Sequence, residues 1–131
     1  MWTYKIDPLG DHSTGQMWHG DPEPAFLAYS GAEPDGKNNP AMESVEFVGP
    51  IPEGDYIIEG PPFDDPKHGV YCLRLMPAAS NQMYGRAGFL LHGDSSEHPG
   101  CASEGCICAS PIAYRQRVWN SGDRELIVVA R

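Results

Sequence analysis

A mainly β fold, a β-sandwich or partly closed barrel of short strands with one or two short helices, is predicted by three features of this sequence. Several short segments alternate apolar and polar side chains, which puts one face of each against a core. Thirteen prolines and fifteen glycines are scattered without a period, so many turns must join many short elements. One segment near the C-terminus carries both start and stop signals for a helix. At 131 residues the chain can bury one good core but not two, so residues 1–131 are expected to form a single domain.

Taken in order, Trp2-Thr3-Tyr4-Lys5-Ile6 alternates as a half-buried edge strand would. Gln16–His19 and Ala25–Tyr29 flank the turn cluster Gly20-Asp21-Pro22-Glu23-Pro24 and are expected to pair. Residues 31–39 are polar and glycine-bearing, a loop. Gly49-Pro50-Ile51-Pro52-Glu53-Gly54 reads as a turn leading into a strand over Asp55–Glu59. Val70–Met76 alternates strongly, and Phe89–His92 is a short apolar strand ending on a histidine. Pro111–Asn120 fits a helix with Ser110 as N-cap, Pro111 at the first helical position and Gly122 just past its end. Glu125–Ala130 closes the chain as a buried strand.

Hydrophobic residues at 40% and aromatics at 10% suffice for a core and argue against disorder. The formal charge of −9 disfavours nucleic acid and anionic membrane surfaces as partners. It suits a cationic partner protein and is equally an ordinary solubility device. Residues Met1–Gly10 contain Asp7, Pro8 and one lysine, with no apolar stretch of signal-peptide length. No apolar run reaches the roughly eighteen residues that a membrane helix needs.

The chemistry concentrates between His92 and Cys106. The run Gly88-Phe89-Leu90-Leu91 leads into His92, and fourteen positions later Cys106 sits in the turn Ser103-Glu104-Gly105-Cys106. A cysteine nucleophile needs a base, backbone N–H groups aimed at a developing oxyanion, and open backbone for the substrate. His92 supplies the base, and the Gly105 and Cys106 amides supply the oxyanion hole. The helix start four residues after Cys106, and an imidazolium beside the sulfur, would both favour thiolate. This is the pattern of a cysteine acyl-transfer site.

The His-Gly and Ser-x-Gly-Cys pair resembles the signature of L,D-transpeptidase (YkuD-type) catalytic domains. Met1-Trp2-Thr3-Tyr4, Tyr29-Ser30-Gly31, residues 36–42, residues 48–56, Pro66-Lys67-His68-Gly69 and residues 84–89 further resemble the Tlde1 type VI secretion effectors. Those are L,D-transpeptidase-like toxins that attack peptidoglycan tetrapeptide stems. The resemblance covers nearly the whole chain, with two departures. Cys108 stands where YkuD enzymes usually carry arginine, and Cys101 is an added thiol in the catalytic loop.

The resemblance implies an L,D-transpeptidase-like fold and attack by Cys106 on the L,D bond between diaminopimelate and the terminal D-alanine. The outcome would be L,D-carboxypeptidase activity, D-amino-acid exchange or a 3→3 cross-link, without cofactor or metal. The tetrapeptide stem is then the substrate, and an immunity protein and a secretion-apparatus component are implied partners. The protein would be made in the bacterial cytoplasm without a signal peptide and act in the periplasm of a target cell. A backbone carbonyl, rather than Asp94, is implied as the group that orients His92.

Other residues carry weaker assignments. Arg86 offers a guanidinium fork for a substrate carboxylate or a surface ion pair. Gly93, Asp94, Ser95 and Ser96 lie where a diaminopimelate centre would be met, or form a plain turn. Ser103 either donates to substrate or pins the loop. Tyr29, Lys37, Asn38 and Asn39 are placed in a wall of the cleft. His12, His19, His68 and His98 are read as surface or packing residues. Three other functions stay open: a catalytically silent peptidoglycan-binding module, a papain-like protease, and a small zinc-binding protein. The protease is disfavoured because its cysteine should precede its histidine. For zinc, His92, His98, Cys101, Cys106 and Cys108 have the right composition but lack a Cys-x2-Cys pair. In an oxidising compartment, Cys101 is a disulfide partner for Cys72, Cys106 or Cys108.

Overall fold

In the computed structural model, which describes residues 1–95 and 103–131, eight strands close into a barrel among the described residues. The strands are β1 (Trp2–Lys5), β2 (Gly15–Trp18), β3 (Phe26–Ser30), β4 (Gly54–Asp65), β5 (Gly69–Pro77), β6 (Leu90–His92), β7 (Ile107–Cys108) and β8 (Glu125–Val129). One helix, α1 (Ile112–Asn120), and a 3₁₀ turn at Pro40–Met42 accompany them. Around the barrel the order is β1-β2-β3-β7-β6-β5-β4-β8. Neighbours are antiparallel except β1–β8 and β6–β7, which run parallel.

Alternation builds the core. Trp2 and Tyr4, Phe26 and Ala28, Tyr56 and Ile58, Leu73 and Leu75, and Leu126 and Val128 sit two apart on their strands and point inward together. Met17, Leu91 and Ile107 complete the same cluster from the shorter strands. Each Leu, Ile, Val, Phe or Met among them, fully buried, contributes about 1.5–3 kcal/mol of apolar transfer. The mainly β expectation therefore holds, and of its two forms the barrel is the one adopted, closed all the way round.

Several local expectations are corrected. Trp2–Lys5 is not an edge strand, because β2 flanks it on one side and β8 on the other. The strand expected over residues 55–59 continues to Asp65, and its register against β5 shifts after Glu59 and again after Phe63. The irregular pairing accommodates Gly60-Pro61-Pro62, whose prolines cannot donate to a ladder. Ser110 does not cap the helix: Pro111 occupies the N-cap in extended backbone with no side-chain cap bond, and helical geometry starts at Ile112. Gly122 does lie just past the end, at φ +75°.

Two buried arginines tie loops to the barrel. Arg115 donates to the carbonyls of Val70, Tyr71 and Ala109. Arg86, 5% exposed, donates to the carbonyls of Glu43, Gly49, Pro50 and Glu104. The loop that Arg86 holds is folded tightly on itself, since a Cβ on Gly49 would lie 1.7 Å from the Met42 carbonyl oxygen. Gly49→Ala is accordingly expected to cost about 3 kcal/mol by overpacking. Thermal or denaturant unfolding reads this directly, and wild-type stability would mean that residues 42–49 shift freely.

Candidate active site

The parallel pairing of β6 with β7 brings the fourteen-residue motif together. Leu91 aligns with Ile107 and His92 with Cys108, so Cys106, just ahead of β7, lies level with Leu90. Leu91 and Ile107 face the barrel core. By strand alternation His92 and Cys106 share the opposite, outer face of the wall. The Leu90 amide donates to the Cys106 sulfur at 3.3 Å.

The turn ahead of the sulfur is clamped. Ser103 Oγ accepts from the Gly31 amide (3.0 Å) and the Gly105 amide (3.2 Å), and donates to the Cys106 carbonyl (2.6 Å). Ser30 Oγ donates to the Gly105 carbonyl and accepts from the Ile51 amide. Gly105 adopts φ +137°, and a Cβ there would lie 2.3 Å from an Arg86 guanidinium nitrogen, so no other residue fits without displacing that arginine. Ser103 thus takes the loop-pinning role of the two considered. Of the two amides expected at the oxyanion hole, the Gly105 N–H donates to Ser103 Oγ instead.

His92 is 1% exposed. Its Nδ1 lies 2.7 Å from the Gly93 carbonyl oxygen, which can only accept, so Nδ1 carries the proton and Nε2 presents a lone pair. Nε2 is buried with no hydrogen-bond partner among the described residues. A ring nitrogen of His92, one of His68 and the Cys106 sulfur all lie within 4.8 Å of one another. His68, read from sequence as a surface or packing residue, is therefore part of the site. It sits in the turn between β4 and β5, stacks obliquely on His92 (ring centroids 4.6 Å) and holds Asp65 Oδ2 through Nδ1 at 2.9 Å. The missed signal was the family-like Pro-Lys-His-Gly, which only the extended β4–β5 hairpin carries over to His92.

Electrostatics run against the expected ion pair. Burial pulls the His92 pKa down to about 4, against a smaller upward effect from the Gly93 carbonyl. Burial pushes the Cys106 thiol up to about 11, more than the Leu90 amide lowers it. Between those values the resting pair is neutral thiol and neutral imidazole, because burial disfavours the charged form of each. Only thiolate reacts with alkylating agents, so Cys106 alkylation in metal-free protein is expected to be slow at neutral pH. It should then climb roughly tenfold per pH unit toward pH 11. Peptide-resolved mass spectrometry checks this, and a rate already level at pH 7 would restore the ion pair.

A cavity of about 300 Å³ opens over the sulfur, lined by His68, Phe89, Gly105 and Cys106, with Phe47, Lys67 and Glu104 among its outer residues. Lys67, missed in the sequence, pairs loosely with Glu104 at 3.8 Å, and both are well exposed. The other predicted contacts fall elsewhere. Arg86 touches the cavity but places four N–H groups on main-chain carbonyls, so it is a strut rather than a free carboxylate fork. Gly93 orients His92. Asn38 is fully buried, accepting from the Ser30 amide and donating to the His12 carbonyl, and walls no cleft. Asn39 caps the 3₁₀ turn.

Tyr29, Lys37 and Asp94 line a separate recess of about 190 Å³ with Cys108. There the Tyr29 hydroxyl donates to Asp94 at 2.5 Å, and Lys37 lies 4.4 Å over the Tyr29 ring. Asp94 also accepts from the Ser95 amide, so it makes a turn and does not reach His92's Nδ1. Cys72, Cys106 and Cys108 are free thiols. Ser96, His98 and Cys101, with the Cys101 disulfides, lie outside the described residues.

No curated protein and no solved structure matches this chain. A family model, the Tlde1 domain, matches residues 24–130, a span that contains His68, His92, Ser103 and Cys106. That match suggests a type VI effector family and is consistent with an enzymatic effector. Covering most of the sequence as it does, it places the chain in the Tlde1 family.

Proposed function

We propose that this protein is a peptidoglycan-targeting cysteine enzyme acting on the L,D bond between diaminopimelate and the terminal D-alanine of tetrapeptide stems. The observation that carries the reading is a cysteine sulfur at the floor of an open cavity, within 4.8 Å of a buried histidine nitrogen. As the sulfur attacks the carbonyl carbon, its proton passes to His92 Nε2, so charge need not separate beforehand. The Cys106 amide faces the developing oxyanion. His92 then returns the proton to the departing amine of D-alanine, leaving a thioester. Water or the amine of a free D-amino acid resolves it, giving carboxypeptidase or exchange products. Lys67 at the rim is the cation that meets the stem's terminal carboxylate. Delivery by a type VI apparatus to the periplasm of a target cell, and neutralisation by an immunity protein in the producer, belong to the same proposal.

The test is mass spectrometry of purified tetrapeptide muropeptides incubated with the reduced protein, with and without D-methionine. Loss of D-alanine, or its replacement by D-methionine, supports the reading and separates hydrolysis from exchange. Stems recovered unchanged under both conditions would sink it.

A further inference from the structure

We infer that His68, His92 and Cys106 form a binding site for one Zn2+ ion, and that the zinc-bound protein is catalytically silent. The three donor atoms lie within 4.8 Å of one another and come from separate places in the chain: the β4–β5 turn, the end of β6 and the turn before β7. Two nitrogens and a sulfur are a donor set that zinc accepts.

Both histidines are prepared as metal ligands. A ligating imidazole characteristically gives its other N–H to a carboxylate or a backbone carbonyl, which fixes the ring and its tautomer. Asp65 does this for His68 at 2.9 Å, and the Gly93 carbonyl does it for His92 at 2.7 Å. Each carbonyl or carboxylate oxygen accepts, so each Nδ1 keeps its hydrogen and each Nε2 is left with a lone pair. For His92 that Nε2 is buried without a hydrogen-bond partner among the described residues, an unsatisfied group of the kind that asks for a ligand.

The remaining geometry is close. Tetrahedral zinc at ordinary bond lengths separates its donors by about 3.4–3.6 Å, so donors that lie within 4.8 Å of one another must draw in by roughly 1.4 Å at most. His68, on a turn and with its side chain 23% exposed, is the member that moves, together with the partly exposed Asp65 carboxylate that holds it. The fourth coordination position opens into the cavity that His68 and Cys106 both line, where water or a substrate oxygen has room. Binding replaces the thiol proton: Zn2+ and Cys–SH give Zn–S–Cys and one H⁺ released to solvent. The nucleophile and the base are then occupied by one ion, which is why turnover stops.

The silencing rests on the function proposed above, whereas the site itself does not, and the experiment keeps them apart. Full-length protein stripped by chelator is titrated with zinc chloride without substrate by calorimetry, and bound zinc is counted by elemental analysis after desalting. One ion per chain is expected. His68→Ala and Cys106→Ala should each weaken binding at least about 100-fold, and Asp65→Asn about 10–100-fold through loss of the ring's orienting partner. Circular dichroism confirms that each variant is folded, and a Co2+-loaded sample should show a thiolate-to-metal charge-transfer band that Cys106→Ala abolishes. Substoichiometric zinc, or affinity unchanged in both His68→Ala and Cys106→Ala, overturns the site. If the protein turns over muropeptides, one equivalent of zinc should abolish the activity and chelator restore it; activity that zinc leaves intact or raises overturns the silencing. If no muropeptide is processed but zinc binds as described, the metal site stands and the enzymatic proposal falls.

Discussion

Cys106→Ala is expected to lower turnover of tetrapeptide stems by at least about 10⁴-fold, because the described residues that line the cavity include no other thiol or hydroxyl nucleophile. The residual rate would reflect binding and the remaining oxyanion donor alone. The substitution removes one sulfur that accepts the Leu90 amide, so it should cost only about 1 kcal/mol of stability and leave the barrel intact. His92→Gln should fall by a similar factor, since the base and nucleophile act as a unit, and the double variant should be little worse than either single one. Initial rates of D-alanine release from purified muropeptides decide the matter. A Cys106→Ala rate within tenfold of wild type would remove the thiol from the mechanism.

Arg86→Met is expected to produce the largest loss of stability, about 3–5 kcal/mol. It deletes a buried guanidinium whose four hydrogen bonds satisfy the carbonyls of Glu43, Gly49, Pro50 and Glu104, and methionine offers none in return. For a chain of this size the midpoint should fall by about 10–20 °C in a thermal scan. Arg86→Lys should recover less than half of that, because one ammonium cannot span acceptors that the planar fork reaches from two nitrogens. A methionine variant that melts within 3 °C of wild type, on the order of 1 kcal/mol, would show that water replaces the guanidinium without penalty.

How much of this was legible in the sequence depended on the range of the information. Such patterns are local, so Trp2–Ile6 and Val70–Met76 announced themselves as strands by alternation and Glu125–Ala130 by its continuous apolar run. Ile107–Cys108 is two residues long and has no period to detect; it exists as a strand because β3 and β6 lie on either side of it. Gly60-Pro61-Pro62 looks like a break, yet β5 continues to pair beyond it. The histidine–cysteine spacing pointed to the reactive pair because a parallel pairing of their strands brings both to one face. His68 had no such spacing to reveal it, since its place depends on where a hairpin from another part of the barrel ends. Arg86 was misread for a related reason: a sequence shows a charge but not the four carbonyls that folding gathers around it. The charge state of the pair was misread too, because burial decides it and spacing says nothing of burial.

The parallel β1–β8 seam has a consequence for synthesis. Trp2 aligns with Leu126 and Lys5 with Val129, so a strand made early in this domain waits for one made more than a hundred residues later. Closing so long a loop costs entropy that nothing repays until residues 125–129 have been made. The wall carrying His92 and Cys106 therefore belongs to an open, unsealed sheet from the moment β7 is made until β8 docks. A nascent chain holds His68, His92 and Cys106 by residue 106 but gains the closed cylinder around them only when β8 docks.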